Sequence, residues 1–333
     1  MKILCIRFSA LGDVAMLAPV VREYALSHPT DYITVLSRPF CAPLFDDIAS
    51  NVHFLGRDVK NDYKGLNGLF RLFRELHQMH FDYICDMHDV LRTKVLRFYF
   101  RLWGYKVSKI DKHRELRKLI TAPEGKKVLK QLPTSFENYE ASLLPVGHHL
   151  PLKGKGGIRQ NSPILQIEGS WIGLAPFAAH EGKIYPLDKM EKVVSMLSEK
   201  GYAIYLFGGG KKEKDIMLQW AGRYDGVHLA SETCNGLRDE LQLMKKLHCM
   251  VSMDSANMHL ASLVGTRVVS IWGATHPYAG FLGWGQSHED CVQVDLPCRP
   301  CSIYGNKPCL RGDMACMNMI TPEEIISRVK SDK

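Results

Sequence analysis

Short continuous apolar runs alternate along this chain with stretches in which apolar positions recur every three or four residues. The runs at 2–8, 32–36, 52–55, 81–86 and 105–110 predict five β-strands in the first half, and those at 171–174, 203–207, 227–229, 249–252 and 267–271 predict five in the second. The intervening spacing predicts helices, as at 65–79, where Leu66, Leu69, Phe70, Phe73 and Leu76 are expected to share a buried face. Strand-like runs that alternate with helical ones in both halves belong to parallel βαβ units, which makes the chain an α/β protein.

With 333 residues the chain is too long for one core and suits two Rossmann-like domains. The Gly-, Pro- and Lys-rich stretch 144–163 is the natural linker, giving domains at 1–155 and 156–320. Residues 321–333 then form a closing helix with Pro322 at its first position, expected to pack back on the first domain. Two such domains leave a cleft between the carboxyl ends of their sheets, where ligands of open α/β sheets bind.

Two strand-to-helix turns carry candidate chemistry. Ser9-Ala10-Leu11-Gly12-Asp13 follows the first strand, with Gly12 allowing a tight path and Asp13 at the helix start. Met253-Asp254-Ser255-Ala256-Asn257-Met258-His259 follows a strand in the second half, where Asp254 or Ser255 can cap a helix whose free N–H groups suit an anion. Neither turn has the G-x-G-x-x-G spacing of a dinucleotide site. Gly208-Gly209-Gly210-Lys211 lacks the P-loop spacing and reads as a close-packing turn with Glu213 just inside the next helix.

The composition, 46% apolar and 23% charged, is that of a globular protein, and no run approaches the length of a membrane span. Arg7 and Asp13 interrupt the opening apolar stretch, so it reads as a first strand and helix rather than a signal peptide, and a cytoplasmic setting is expected. The net charge of +8 is unevenly placed: residues 92–130 hold 13 basic and 3 acidic residues. Such a segment suits an anionic partner, whether nucleic acid, acidic lipid or a phosphorylated glycan. Nucleic acid is the least attractive, because no recognition motif accompanies the charge. Cys298, Cys301, Cys309 and Cys316 form C-x2-C-x7-C-x6-C, which fits reduced structural thiols, a small metal or redox clip, or a disulfide, the last disfavoured in a cytoplasm.

The segments Ile6–Val14, Asp86–Arg92, Ala175–Pro186 and Met253–Ala261 together resemble the ADP-heptose:lipopolysaccharide heptosyltransferases, glycosyltransferase family 9. The resemblance implies a GT-B fold and Asp13 as catalytic base. It places Ser9, Gly12 and Arg92 on the acceptor side, where Arg114 of the basic segment joins them. It further implies donor contacts from Lys183, Asp254, Ser255 and His259, with Glu213 and the Thr275 loop near the nucleotide or sugar. His259 equally suits an ordinary helix histidine. This chain departs from the family at Phe177 and at Ile184-Tyr185, and no Ser or Thr lies between Ala175 and Lys183.

Glycosyl transfer needs a base for the acceptor hydroxyl and positive or N–H groups for the departing diphosphate. No D-x-D-type carboxylate pair stands near the expected cleft, so neutralisation by Lys183 and a helix N-terminus suits a metal-independent, inverting enzyme with no cofactor. The leading expectation is heptose transfer from ADP-heptose to an anionic lipid A–Kdo type acceptor, at the cytoplasmic face of the inner membrane. The alternatives are a family-9 enzyme using another nucleotide sugar, or a non-catalytic anionic-ligand-binding protein.

Overall fold

The computed structural model describes residues 1–143 and 171–330; the linker expected at 144–163 and the domain boundary at 155 lie outside the described residues. By their contacts the described residues form two units, 1–112 with 135–143, and 113–134 with 171–330.

The first unit holds a parallel sheet of order β3-β2-β1-β4-β5: β1 (Lys2–Ile6), β2 (Tyr32–Ser37), β3 (Val52–Gly56), β4 (Tyr83–Asp86) and β5 (Lys106–Lys109). Its helices are α1 (Leu11–Ser27), α2 (Gly65–His77), α3 (Leu91–Leu102) and α5 (Ser135–Leu143), the last packed on α1. One core joins Leu4, Ile6 and Ile84 of the sheet to Leu72, Phe73, Leu96 and Phe100 of α2 and α3. The expected apolar face of α2 needs correction. Leu69, Phe73 and Leu76 are buried, but Leu66 and Phe70 stand in solvent, because the helix is tilted to bury Gly68 and Leu72 instead.

The second unit includes α4 (Arg114–Ile120) and a parallel sheet of order β11-β10-β9-β6-β7-β8. The strands are β6 (Trp171–Ala175), β7 (Ala203–Leu206), β8 (Val227–Leu229), β9 (Cys249–Met253), β10 (Val268–Ile271) and β11 (Cys291–Val292). The two-residue β11, paired with Ser270 and Ile271, was not anticipated. The remaining helices are α6 (Leu187–Ser198), α7 (Lys211–Ala221), α8 (Ala230–Thr233), α9 (Leu237–Lys245), α10 (Ala256–Leu263), α11 (Ala315–Asn318) and α12 (Pro322–Lys330).

Two expectations about organisation fail. Residues 113–134 belong with the second unit, because Leu132 donates to the Tyr278 carbonyl, Lys127 to that of Pro300, and Arg117 to the Tyr304 hydroxyl. The closing helix α12 belongs by its contacts to the second unit and packs there on α6, β9 and β10. Ile325, Ile326 and Val329 enter that unit's core, and the Thr321 amide and hydroxyl exchange bonds with Glu324 in a reciprocal cap. Among the described residues no helix is long and apolar enough to cross a membrane.

Each sheet reverses its winding once, between β1 and β4 in the first unit and between β6 and β9 in the second. The carboxyl ends of these strand pairs are where open α/β sheets gather their ligand-binding loops.

Candidate functional site

At the first reversal, α1 opens after the four-residue connection 7–10 from β1, placing Asp13 in its first turn beside the helix's unpaired N–H groups. Its carboxylate accepts the Ala10 amide at 3.0 Å and meets Arg7 Nη2 at 2.7 Å. Arg7 is itself fixed: Nε donates to the Ser9 carbonyl, Nη1 to that of Met87 at 2.6 Å, and the guanidinium lies 5.6 Å from the centre of the Tyr139 ring. The Tyr139 hydroxyl donates to the Asp13 carbonyl at 3.1 Å, so the acid is held at both backbone and side chain. Even so the Asp13 side chain remains 30% exposed, while that of Arg7 is buried.

His88, on the loop after β4, completes this group. The Phe8 amide donates to Nδ1, which leaves the ring proton on Nε2, 3.4 Å from Ser9 Oγ. Burial, reinforced by the positive charges of Arg7 and Lys112, pushes the His88 pKa down to about 3, so the ring is neutral at pH 7. Its loop is anchored by Asp86, fully buried, which accepts the His88 and Asp89 amides and Arg97 Nη1 at 2.8 Å. Ser9, Gly12 and Asp13 therefore come together, and Arg92 lies near enough for its charge to act on His88. Arg114 opens α4, which belongs to the other unit.

At the second reversal, Lys183 ends the 3-10 turn Glu181–Lys183 after β6, and Asp254 follows β9. Lys183 Nζ and Asp254 Oδ2 are 2.8 Å apart, with the Asp254 side chain only 4% exposed. Gly305 has φ +73°, and a Cβ there would lie 2.6 Å from Lys183 Cγ, so the lysine stem rests directly on this glycine. Ser255 occupies the cap position of α10 but does not cap it; its hydroxyl turns to Ser252 Oγ at 3.3 Å. The first-turn amides of α10 thus lack a side-chain cap from Ser255, beside a lysine, where a diphosphate would be neutralised. His259 is buried on α10.

The loop after β10 is staked by Arg299, whose guanidinium donates to the carbonyls of Trp272, Gly273 and Thr275. Burial lowers the pKa of Arg299 from its ordinary value. This fixes Thr275, whose buried Oγ1 has no hydrogen-bond partner among the described residues. Glu213 is otherwise engaged: it accepts the Gly209 amide at 2.7 Å and closes its own glycine turn.

Cys298, Cys301, Cys309 and Cys316 line one pocket as free thiols. Among the described residues no three His, Cys, Asp or Glu side chains are placed to hold a metal ion. Burial raises the Cys316 thiol to about 11, whereas backbone amides of Met314, Arg311 and Gly312 outweigh burial at Cys309 and lower its pKa.

Sequence reasoning did not single out Arg7, His88, Arg299 or Gly305. Arg7 and His88 lay inside the quoted motifs, but their roles depend on contacts 80 residues apart in the chain. Arg299 was masked by the cysteines on either side of it.

The chain resembles proteins already characterised. The lipooligosaccharide heptosyltransferase 2 of Haemophilus influenzae is 23% identical over 300 residues, 83% of this chain and 84% of that protein. That of Campylobacter jejuni is 25% identical over 197 residues, covering 58% of this chain and 60% of its own length. Among solved structures, E. coli heptosyltransferase WaaC with ADP superposes with a TM-score of 0.70 at 15% identity, over 99% of both chains. A family 9 glycosyltransferase from Veillonella parvula gives 0.74 at 16% identity, over 99% of this chain and 96% of that one. These two structural matches establish the shared fold. The pattern of glycosyltransferase family 9 (heptosyltransferase) matches residues 69–308, and with most of its length accounted for the chain belongs to that family and is a glycosyltransferase.

Proposed function

We propose that the protein transfers heptose from ADP-heptose to the inner core of a lipopolysaccharide of lipid A–Kdo type, with inversion, using Asp13 as general base. The observation that carries this reading is the form of the Asp13 site. A partly exposed carboxylate is oriented by Arg7 and by the Ala10 amide at the reversal of the first sheet, where open α/β sheets gather their ligands. Arg7 sets a fixed positive charge against the carboxylate, and Tyr139 and Met87 keep Arg7 in place. His88, neutral at pH 7, presents Nε2–H beside Ser9 and adds a hydrogen-bond donor rather than a competing charge.

In the second unit the leaving diphosphate is met by Lys183, by the opening amides of α10 and by Thr275 Oγ1. Asp254 fixes the lysine rather than transferring protons, since it is buried against it. Lys183 on this reading exchanges part of its contact with Asp254 for phosphate. ADP as the nucleotide draws support from the structural relative solved with ADP, and the lipid-borne acceptor from the lipooligosaccharide heptosyltransferases among the relatives.

The absence of Ser or Thr between Ala175 and Lys183 favours a second reading, in which the sugar nucleotide differs. Acceptor-dependent release of ADP from ADP-heptose tests the first reading. Release from a GDP- or UDP-sugar at a higher kcat/KM would replace it with the second.

A further inference from the structure

Helix α3 has two apolar faces. At 3.6 residues per turn, Thr93, Leu96 and Phe100 point one way and are buried, while Leu91, Phe98 and Leu102 fall within about 40° of one another on the opposite side. Leu91 is 79% exposed, Phe98 62% and Leu102 65%. The stripe continues onto Trp103, whose ring lies 6.3 Å from that of Phe70, and with Leu66 one turn before Phe70 on α2 the patch spans both helices. Single exposed apolar residues are ordinary, but a contiguous patch on two packed helices calls for something to cover it.

The charges flanking the stripe identify the cover. Arg92 lies to one side of it and Lys94 and Arg101 to the other, all exposed, and α3 contains no acid. Between residues 92 and 112 there are seven basic residues and one acidic one. Arg97, the other α3 cation, is committed inward to Asp86 and Asp89. A second copy of this face would set like charges against each other across a two-fold contact, which disfavours self-association. An apolar stripe with Trp and Tyr at its margin and Arg and Lys along its edges is the composition of helices that lie in the membrane interface.

We propose that the solvent face of α3, extended by Phe70 and Leu66 of α2, docks on an anionic phospholipid bilayer. Leu91, Phe98, Leu102 and Trp103 enter the acyl boundary, and Arg92, Lys94 and Arg101 meet lipid phosphates. This deepens the reading of a lipid-borne acceptor, on which it rests for its purpose, by naming the element that meets the lipid.

The test is flotation of the full chain with vesicles of phosphatidylcholine alone or enriched in phosphatidylglycerol. Binding is expected only to the anionic vesicles and should weaken as salt rises. Replacing Phe98→Ser and Leu102→Ser together should lower the bound fraction at least about tenfold. Because both side chains are exposed, the melting temperature should not change, nor should turnover on a deacylated, water-soluble acceptor. Failure of the wild type to bind anionic vesicles, binding that ignores the double substitution, or loss of a dimer on making it, would each overturn the proposal. Vesicle binding without any transfer to the soluble acceptor would instead contradict the acceptor reading and leave the docking surface standing.

Discussion

Asp13 and Asp254 occupy related places, each following a strand at the point where its sheet reverses, and each is set against a cation. Arg7 holds Asp13 at 2.7 Å, and Lys183 holds Asp254 at 2.8 Å. They differ in which partner is buried. In the first unit the cation is enclosed and tied to backbone carbonyls, leaving the carboxylate partly open to solvent. In the second the carboxylate is enclosed and the lysine is the more open member. An exposed acid on a fixed base-plate can take a proton, whereas an exposed cation on a fixed acid can receive an anion. Under the proposed function the same device of sheet reversal plus ion pair serves proton transfer in one unit and phosphate binding in the other, according to which charge is the more open.

Breaking the first pair on its outward side should have the largest effect. Asp13→Asn keeps the Ala10 contact geometry but removes the base, and turnover should fall by roughly 10² to 10⁴ at saturating substrates. Comparable turnover by the variant in steady-state kinetics would take Asp13 out of the reaction.

Next in size is the inward side of the same pair. Arg7→Lys retains a charge but not the planar fork that spans Asp13, Ser9 and Met87, and turnover should fall roughly 10- to 100-fold through misplacement of the base. An unchanged kcat would mean that Asp13 is oriented by its backbone contacts alone.

The second pair can be loosened from beneath. Gly305→Ala forces a side chain into the φ +73° conformation and against the Lys183 stem, so donor KM should rise several-fold while kcat moves less. Thermal melting should register a loss of about 1 kcal/mol for the strained backbone. Equal loss of kcat and KM would place Lys183 in the chemical step as well.

The last effect is on stability rather than turnover and concerns pH. A buried histidine whose pKa falls from 6.5 to about 3 binds fewer protons folded than unfolded between those values. Stability attributable to His88 is therefore complete above pH 6.5 and declines as pH falls toward 3, by up to about 1.4 kcal/mol per unit. Chemical denaturation of His88→Gln should show a shallower decline over that range than the wild type. Burial holds His276 at about 4 in the same sense, so part of the slope will remain.

Ten strands were legible as apolar runs because a parallel sheet covered on both faces needs them so. The two-residue β11 was not, since Cys291-Val292 is too short to make a pattern. Asp13 and Asp254 stood out because strand-to-helix turns concentrate polar residues at fixed places, and Lys183 through the family resemblance. What each acid does was not legible, because the setting of each pair also depends on Tyr139 and Gly305, which reach Asp13 and Lys183 from distant segments. Helical spacing marked Leu66 and Phe70 as apolar positions on α2 but could not show that the buried side of the helix turns away from them. Likewise the basic run 92–130 reads as one segment and folds into two units.

The division between the two pairs is tested most directly by calorimetric titration of ADP-heptose into the wild type, Asp13→Asn and Lys183→Ala, each first shown by melting to be folded. Asp13→Asn should bind the donor with an unchanged dissociation constant. Lys183→Ala should bind it at least about tenfold more weakly, as loss of a charge-assisted phosphate contact requires. Donor affinity lost in Asp13→Asn and kept in Lys183→Ala would contradict the assignment of proton transfer to the first pair and phosphate binding to the second.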